Sequence, residues 1–275
     1  MVEIFLAVWV ILGAVLGSFA CCQAWRLRYK ELGKKELGRR SVCLCCGKTL
    51  KWYENIPLVS YAVQRGRCRK CGVKIGKAEI FSEVGGVVAF LLLGWRVWNR
   101  FFGSILFGSL EGAYVFGIET WARIIHVILI IIFMTILMIL AVYDAKWRRL
   151  PVAMLIAVIV VAGAYAGIGL ILGEVKILEL VGAVAILAGT YYLLYFLSKE
   201  KLVGGGDYLL CLAIALMIAE PVSAIWVLFL SNFIGAIIML PLKKKKIAFG
   251  PFLVIAFVLV FVFQELLAGL ISFGK

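Results

Sequence analysis

Apolar runs about as long as a bilayer is thick recur along this chain of 275 residues, and they constrain its fold more than any other feature. Hydrophobic residues make up 64% of the sequence and the mean hydropathy is +1.08, which excludes an ordinary soluble domain. A transmembrane helix needs roughly 20 such residues. Eight runs approach that length, near residues 4–25, 80–98, 121–143, 151–173, 177–197, 207–220, 222–241 and 249–272. Since alternating strand patterns are lacking, the sequence predicts an all-α polytopic membrane protein with about eight transmembrane helices.

The positive charge is concentrated in a few of the connecting segments. The chain carries 29 Lys and Arg against 15 Asp and Glu, and 15 of the 29 lie between Arg26 and Lys77. The other concentrations are Lys146 with Arg148 and Arg149, then Lys199 with Lys201, and finally Lys243 to Lys246. With eight spans these segments share one face, which the positive-inside rule makes cytoplasmic, with the N-terminus outside the inner (plasma) membrane. Anionic lipid headgroups account for this charge, so we expect a lipid bilayer and no nucleic acid as partner.

The spacing of the runs leaves one insert of substantial size, directly after the first helix. We therefore predict a first transmembrane helix in residues 1–25, a cytoplasmic domain in residues 26–79 and a transmembrane core in residues 80–275. The sequence predicts no oligomeric state.

Four cysteines of the insert have the spacing of a metal site. Cys43 and Cys46 form one C-x2-C pair, Cys68 and Cys71 form a second after 21 intervening residues, and a glycine follows each pair. Four thiolates complete a tetrahedral structural Zn²⁺ site, and a small charged segment needs such a staple to fold. Two disulfides are the alternative, although disulfides rarely persist in the cytoplasm.

Only two aspartates occur in the chain, Asp144 and Asp207, and each stands at the end of an apolar run. Two neighbouring carboxylates can split a peptide bond with water, because one accepts a proton while the other donates one. A carboxylate at a helix C-terminus opposes the helix dipole, so Asp144 is expected to be there for a function. The simpler explanations are a surface salt bridge for Asp144 and a helix N-cap for Asp207. The sequence does not assign acid and base.

The glycines before Asp207 form a supporting loop. Gly204, Gly205 and Gly206 are more than a helix cap requires, and they let backbone approach a substrate chain closely. We therefore add Gly204 and Gly206 to the predicted site.

Several motifs, in order, resemble those of the bacterial type IV prepilin peptidases, the leader peptidase/N-methyltransferases of the GxGD aspartic protease group. They are Gly17-Ser18-Phe19 with Arg26, the stretch from Trp52 to Ser60, Arg65-Gly66-Arg67-Cys68, Glu83, Asp144 to Pro151, Gly204-x-Gly206-Asp207, and Phe249-Gly250-Pro251. The family often has lysine two residues after the GxGD aspartate, where this chain has Leu209.

The resemblance implies proteolysis by Asp144 and Asp207 at the cytoplasmic membrane face. It also implies a zinc-bound four-cysteine insert, methylation of the new N-terminus with S-adenosylmethionine, and prepilins or pseudopilins as substrates. No residue marks the site of the methyl donor. Two other classes of function stay open: a proton-coupled transporter with the aspartates as relay groups, and a zinc-stabilised scaffold without catalysis.

Overall fold

The computed structural model describes residues 2–33, 40–102, 118–199, 203–242 and 248–267. In these ranges the secondary structure is helical, apart from two isolated β-bridges in the insert. The chain divides into two compact units, Met1–Trp95 and Arg96–Lys275. The three-part domain division remains a prediction.

The helices follow the eight apolar runs. The first three are α1 (Val2–Glu31), the short α2 (Val59–Val63) of the insert, and α3 (Lys77–Val97). The others are α4 (Ile118–Trp147), α5 (Val152–Ile171), α6 (Ile177–Val184), α7 (Thr190–Ser198), α8 (Gly205–Ile218), α9 (Pro221–Leu242) and α10 (Gly250–Val262). A π-helical turn, Ala185–Gly189, joins α6 and α7 into one 22-residue helix.

Six of these helices are long and apolar enough to cross a membrane, which confirms a multi-pass membrane protein. Two shorter apolar helices, α8 and α10, have 14 and 13 residues. At 1.5 Å per residue they are about 20 Å long, shorter than the roughly 30 Å hydrocarbon core. The count of eight spans therefore stays a prediction, and Lys243 to Lys246, used to predict orientation, lie outside the described residues.

In the first unit, α1 and α3 touch through small residues. A Cβ added to Gly17 would lie 2.4 Å from the carbonyl oxygen of Ser82, and the Ser82 hydroxyl donates a hydrogen bond to the Gly17 carbonyl at 2.5 Å. Gly13 approaches Gly86 in the same way one turn earlier. Small residues at this spacing let membrane helices pack backbone to backbone. This close packing explains why the Gly17-Ser18-Phe19 motif begins with a glycine.

The insert contains two turns of the same construction. The Gly47 N–H donates to the Cys43 carbonyl and the Gly72 N–H donates to the Cys68 carbonyl, each at 2.9 Å. The φ angles are +66° at Gly47 and +68° at Gly72, a conformation in which a residue with a side chain would be strained. This backbone explains why a glycine follows each cysteine pair.

The second unit is built around α8. This helix packs against α5, α6, the π turn, α9 and α10, while α4 packs against α5 and α10. Its buried residues are Leu210, Cys211, Ala213, Ile214, Ala215, Met217 and Ile218. Because neighbouring helices surround it, α8 does not need the length of a lipid-facing span. The packing brings the end of α4 and the beginnings of α8 and α10 to one end of the unit.

Candidate active site and metal centre

Asp144 lies in the last turn of α4 and is only 6% exposed. Its Oδ2 accepts a hydrogen bond of 2.8 Å from the backbone N–H of Gly250, the first residue of α10. The positive end of the α10 dipole thus offsets the negative end of α4, which makes this position tolerable for a carboxylate.

Gly250 is a glycine because the Asp144 carboxyl group occupies the space of a side chain. A Cβ there would lie 2.9 Å from Oδ2 and 3.4 Å from Cγ of Asp144. Pro251 follows at the second position of α10, where its missing N–H has no partner to lose. Sequence reasoning named Gly250 as part of a motif but did not recognise it as a partner of Asp144.

Asp207 is the third residue of α8, not its N-cap as the simpler explanation supposed. The N-cap is Gly204, and the Asp207 Oδ2 accepts a hydrogen bond of 3.1 Å from the Gly204 N–H. Two of the three glycines therefore belong to the helix itself. The Asp207 carboxylate reaches back over its first turn and fixes the entry of the chain into α8.

Gly206 connects the two aspartate segments. A Cβ on Gly206 would lie 2.9 Å from the Cβ of Leu150 and 3.0 Å from its Cδ1. Leu150 belongs to the turn that follows Asp144, so that turn packs on the backbone directly before Asp207. Asp144 and Asp207 therefore lie at the same end of the second unit.

A polar group lies inside the bundle beside the residue that precedes Gly250. Tyr191 is 3% exposed, and its hydroxyl accepts a hydrogen bond of 2.9 Å from the Asn232 amide. Its ring lies 5.6 Å from that of Phe249, the residue before Gly250. Sequence reasoning missed Tyr191 because a tyrosine in an apolar run carries no local signal.

The four predicted cysteine ligands come together in the insert. The Sγ atoms of Cys43, Cys46, Cys68 and Cys71 all lie within 4.8 Å of one another, and Cys43 and Cys71 are 3.8 Å apart. A tetrahedral ion with Zn–S bonds of about 2.3 Å places its sulfurs about 3.8 Å apart. This donor set fits a metal ion. None of the eight cysteines, all of which are described, forms a disulfide.

The backbone prepares one of these sulfurs for a metal. The N–H groups of Cys71 and Lys70 donate to the Cys68 sulfur and lower the pKa of that thiol to about 6. Thiolate is the form that binds metal, so Cys68 is ionised at neutral pH before a metal arrives.

A partly buried ion pair lies next to the first cysteine turn. Lys48 Nζ lies 2.7 Å from Glu54 Oε1, and the Lys51 N–H donates to Glu54 Oε2 at 2.9 Å. Glu54 is 4% exposed. The hydrogen bond from Lys48 lowers the pKa of Glu54, and the same contact raises the pKa of Lys48. The pair fixes the insert between its two metal-binding turns.

Proteins of known function with similar sequences indicate what this site does in relatives. The chain is similar to a Prepilin leader peptidase/N-methyltransferase of Pseudomonas aeruginosa, with 26% identity covering 90% of this chain and 86% of the relative. Relatives of the same name in Vibrio cholerae serotype O1 and Myxococcus xanthus are 32% and 38% identical. These two matches cover 34% and 31% of this chain and span only 38% and 26% of the relatives' lengths. No solved structure matches this chain.

One family model covers the cysteine cluster, and another covers the two aspartates. The Bacterial Peptidase A24 N-terminal domain matches residues 11–97, which contain the four cysteines. The Type IV leader peptidase family matches residues 131–240, which contain both aspartates. The chain is therefore similar to the type IV leader peptidases both in the segment with the cysteines and in the segment with the aspartates.

Proposed function

We propose that this protein is a membrane endopeptidase that removes the leader from prepilins or pseudopilins, and that it methylates the new N-terminus. The observation that carries the peptidase proposal is that Asp144 and Asp207 lie at the same end of the second unit. They come from separate helices, each accepts a backbone N–H from a glycine, and the turn after one packs on the glycine before the other.

In the proposed mechanism a water lies between the two carboxyl groups. One aspartate accepts a proton as the water attacks the scissile carbonyl, and the other donates its proton to the carbonyl oxygen. The first aspartate then passes the proton it took from the water to the leaving amine, and the second recovers its proton as the tetrahedral diol collapses. Both carboxylates face a helix N-terminus, so their dipole environments do not separate acid from base. We therefore treat Asp144 and Asp207 as a pair that titrates jointly.

The position of the aspartates suits a substrate cut at the membrane surface. Asp144 lies within a turn of the end of α4, and Asp207 within a turn of the start of α8. A proton-coupled transporter would instead be expected to carry its carboxylates near the middle of the spans. A prepilin joins a short polar leader to a hydrophobic helix, so its cleavage site lies at the end of that helix.

The positive charges near Asp144 support an orientation of the protein in the membrane. Lys146, Arg148 and Arg149 follow it directly, and the positive-inside rule assigns such a turn to the cytoplasm. We propose that the dyad and the insert face the cytoplasm at the inner membrane, with the N-terminus outside.

We further propose that Zn²⁺ is the ion of the four-cysteine cluster. Cys43, Cys46, Cys68 and Cys71 would hold it and leave no open coordination position, so its role is to fold the insert. The names of the relatives include an N-methyltransferase, which is the basis for proposing S-adenosylmethionine as methyl donor.

Cleavage of a synthetic prepilin by detergent-purified protein tests the proposal. Mass spectrometry should detect loss of the leader with wild-type protein, and an added methyl group when S-adenosylmethionine is present. Asp144→Asn and Asp207→Asn keep the shape of the side chain and should abolish cleavage. Leader loss without methylation would restrict the proposal to the peptidase, and cleavage by either variant would remove the dyad from it.

A further inference from the structure

The end of α1, the start of α3 and the insert line a cavity of about 310 Å³ in the first unit. Pockets for small-molecule ligands begin at about this size. Cys43 and Cys68 are among the lining residues, so the metal cluster fixes one wall. All of the lining residues belong to the first unit, whereas both aspartates belong to the second.

The lining includes motif residues that neither the metal cluster nor the aspartate pair uses. They come from separate stretches of the sequence and are Ser18, Arg26, Asn55, Ser60 and Glu83. These side chains place a guanidinium, an amide and a carboxylate around one cavity. A few convergent polar groups in a pocket suit a polar ligand.

Two carboxylates of α3 are held in defined orientations at this cavity. Glu79 Oε1 accepts a hydrogen bond of 3.3 Å from the Trp25 indole N–H, and Glu83 Oε2 accepts one of 2.7 Å from the Leu58 backbone N–H. Because they are four residues apart, Glu79 and Glu83 lie on one face of the helix.

The contact between Leu58 and Glu83 is made by a strained residue. Leu58 has φ of +60°, which is uncommon for any residue with a side chain. Strain of this kind is kept where the surroundings demand one geometry, and it clusters at ligand sites. Leu58 lies in the motif stretch from Trp52 to Ser60, so part of that stretch serves to hold Glu83.

We infer that this cavity binds S-adenosylmethionine, an inference that rests on the methyltransferase half of the proposed function. The donor combines an ammonium and a sulfonium with a carboxylate and a purine. Glu79 and Glu83 suit the cations, and Arg26 suits the carboxylate. The rings of Trp25 and Tyr61, both in the lining, suit the purine and the sulfonium. When bound, the donor supplies a methyl group to an amine.

Equilibrium dialysis of radiolabelled S-adenosylhomocysteine against the full-length protein in detergent tests this site without relying on activity. Glu83→Gln and Glu79→Gln should each raise Kd by tenfold or more, because each removes a charge from the site. Glu31→Gln is the matched control, since Glu31 pairs with Arg28 at 3.3 Å outside the cavity lining and should leave Kd unchanged. Melting temperature and metal content establish that each variant is folded.

The binding results distinguish an error in the location of the site from an error in the methyltransferase proposal. Binding by wild type with Kd unchanged in Glu79→Gln and Glu83→Gln would overturn the cavity assignment and leave the methyltransferase proposal standing. No binding by wild type at millimolar ligand would overturn both, whereas the peptidase proposal depends only on leader cleavage.

A second measurement needs no variant and covers the case of misfolded mutants. Ultraviolet cross-linking of methyl-labelled S-adenosylmethionine to wild-type protein, followed by peptide mapping, should label peptides from residues 18–31 or 52–83. Competition by S-adenosylhomocysteine, but not by anionic lipid or a leader peptide, is expected. Labelling confined to the second unit, or competition by lipid or leader instead, would overturn the inference.

Discussion

Gly250→Ala perturbs Asp144 without removing any ionisable group. The new Cβ would lie 2.9 Å from Oδ2 and 3.3 Å from Cβ of Asp144, well inside normal carbon contact distances. Gly250 is not among the glycines with positive φ, so alanine adopts its backbone without strain. The substitution therefore acts through the carboxyl group, which must move away from the 2.8 Å hydrogen bond with the Gly250 N–H.

The expected loss follows from that hydrogen bond. A hydrogen bond to a charged group contributes about 1.5–3 kcal/mol. If it orients Asp144 for catalysis, its loss raises the barrier by that amount, which slows cleavage by roughly 10- to 150-fold. KM should change little, because Gly250 acts on the enzyme's own carboxylate. Initial rates of leader release at several substrate concentrations, followed by mass spectrometry, give both constants.

Gly163→Ala is the control for the introduction of a methyl group. A Cβ on Gly163 in α5 meets nothing within 4 Å, so this variant should cleave at the wild-type rate. Melting temperatures of both variants show whether they are folded. A folded Gly250→Ala protein with kcat within about twofold of wild type would refute the positioning of Asp144 by α10.

Three further changes test other parts of the structure. Gly206→Ala should lower the free energy of unfolding by about 1–3 kcal/mol, because its Cβ would lie 2.9 Å from that of Leu150; an unchanged denaturation midpoint would contradict that contact. Cys46→Ser should abolish the bound metal, as measured by plasma mass spectrometry, and lower the melting temperature; full metal occupancy would exclude the four-thiolate site. Glu54→Gln should lower the melting temperature at neutral pH but not in acid. The lowered pKa of Glu54 gives a stabilisation present above the ordinary value of 4.5 and lost as pH falls through the folded value, so a difference that persists in acid would speak against the Lys48 pair.

Patterns that are local in sequence predicted much of this molecule. The apolar runs gave the helices because length and composition alone decide whether a segment can cross a bilayer. The two C-x2-C-G pairs predicted a metal cluster because their turns are formed within a few residues. The four sulfurs indeed lie within 4.8 Å of one another.

Contacts between distant segments left no such signal. The hydrogen bond from Gly250 to Asp144 joins positions 106 residues apart, and that between Leu58 and Glu83 joins positions 25 apart. The sequence offered an N-cap role for Asp207, but α8 begins at Gly205 with Asp207 as its third residue, and Leu150 packs against Gly206. The sequence named these glycines as motif residues, and only the packing explains why a side chain has no room there.

The central claim is that Asp144 and Asp207 act as one catalytic unit, and a kinetic cycle tests it most directly. Leader cleavage is measured for wild type, Asp144→Asn, Asp207→Asn and the double variant, each checked for folding by its melting temperature. Residues that act together are strongly non-additive, so either single substitution should reduce kcat to the level of the double variant. A single variant that retains kcat near wild type, or losses that multiply in the double variant, would contradict a shared dyad.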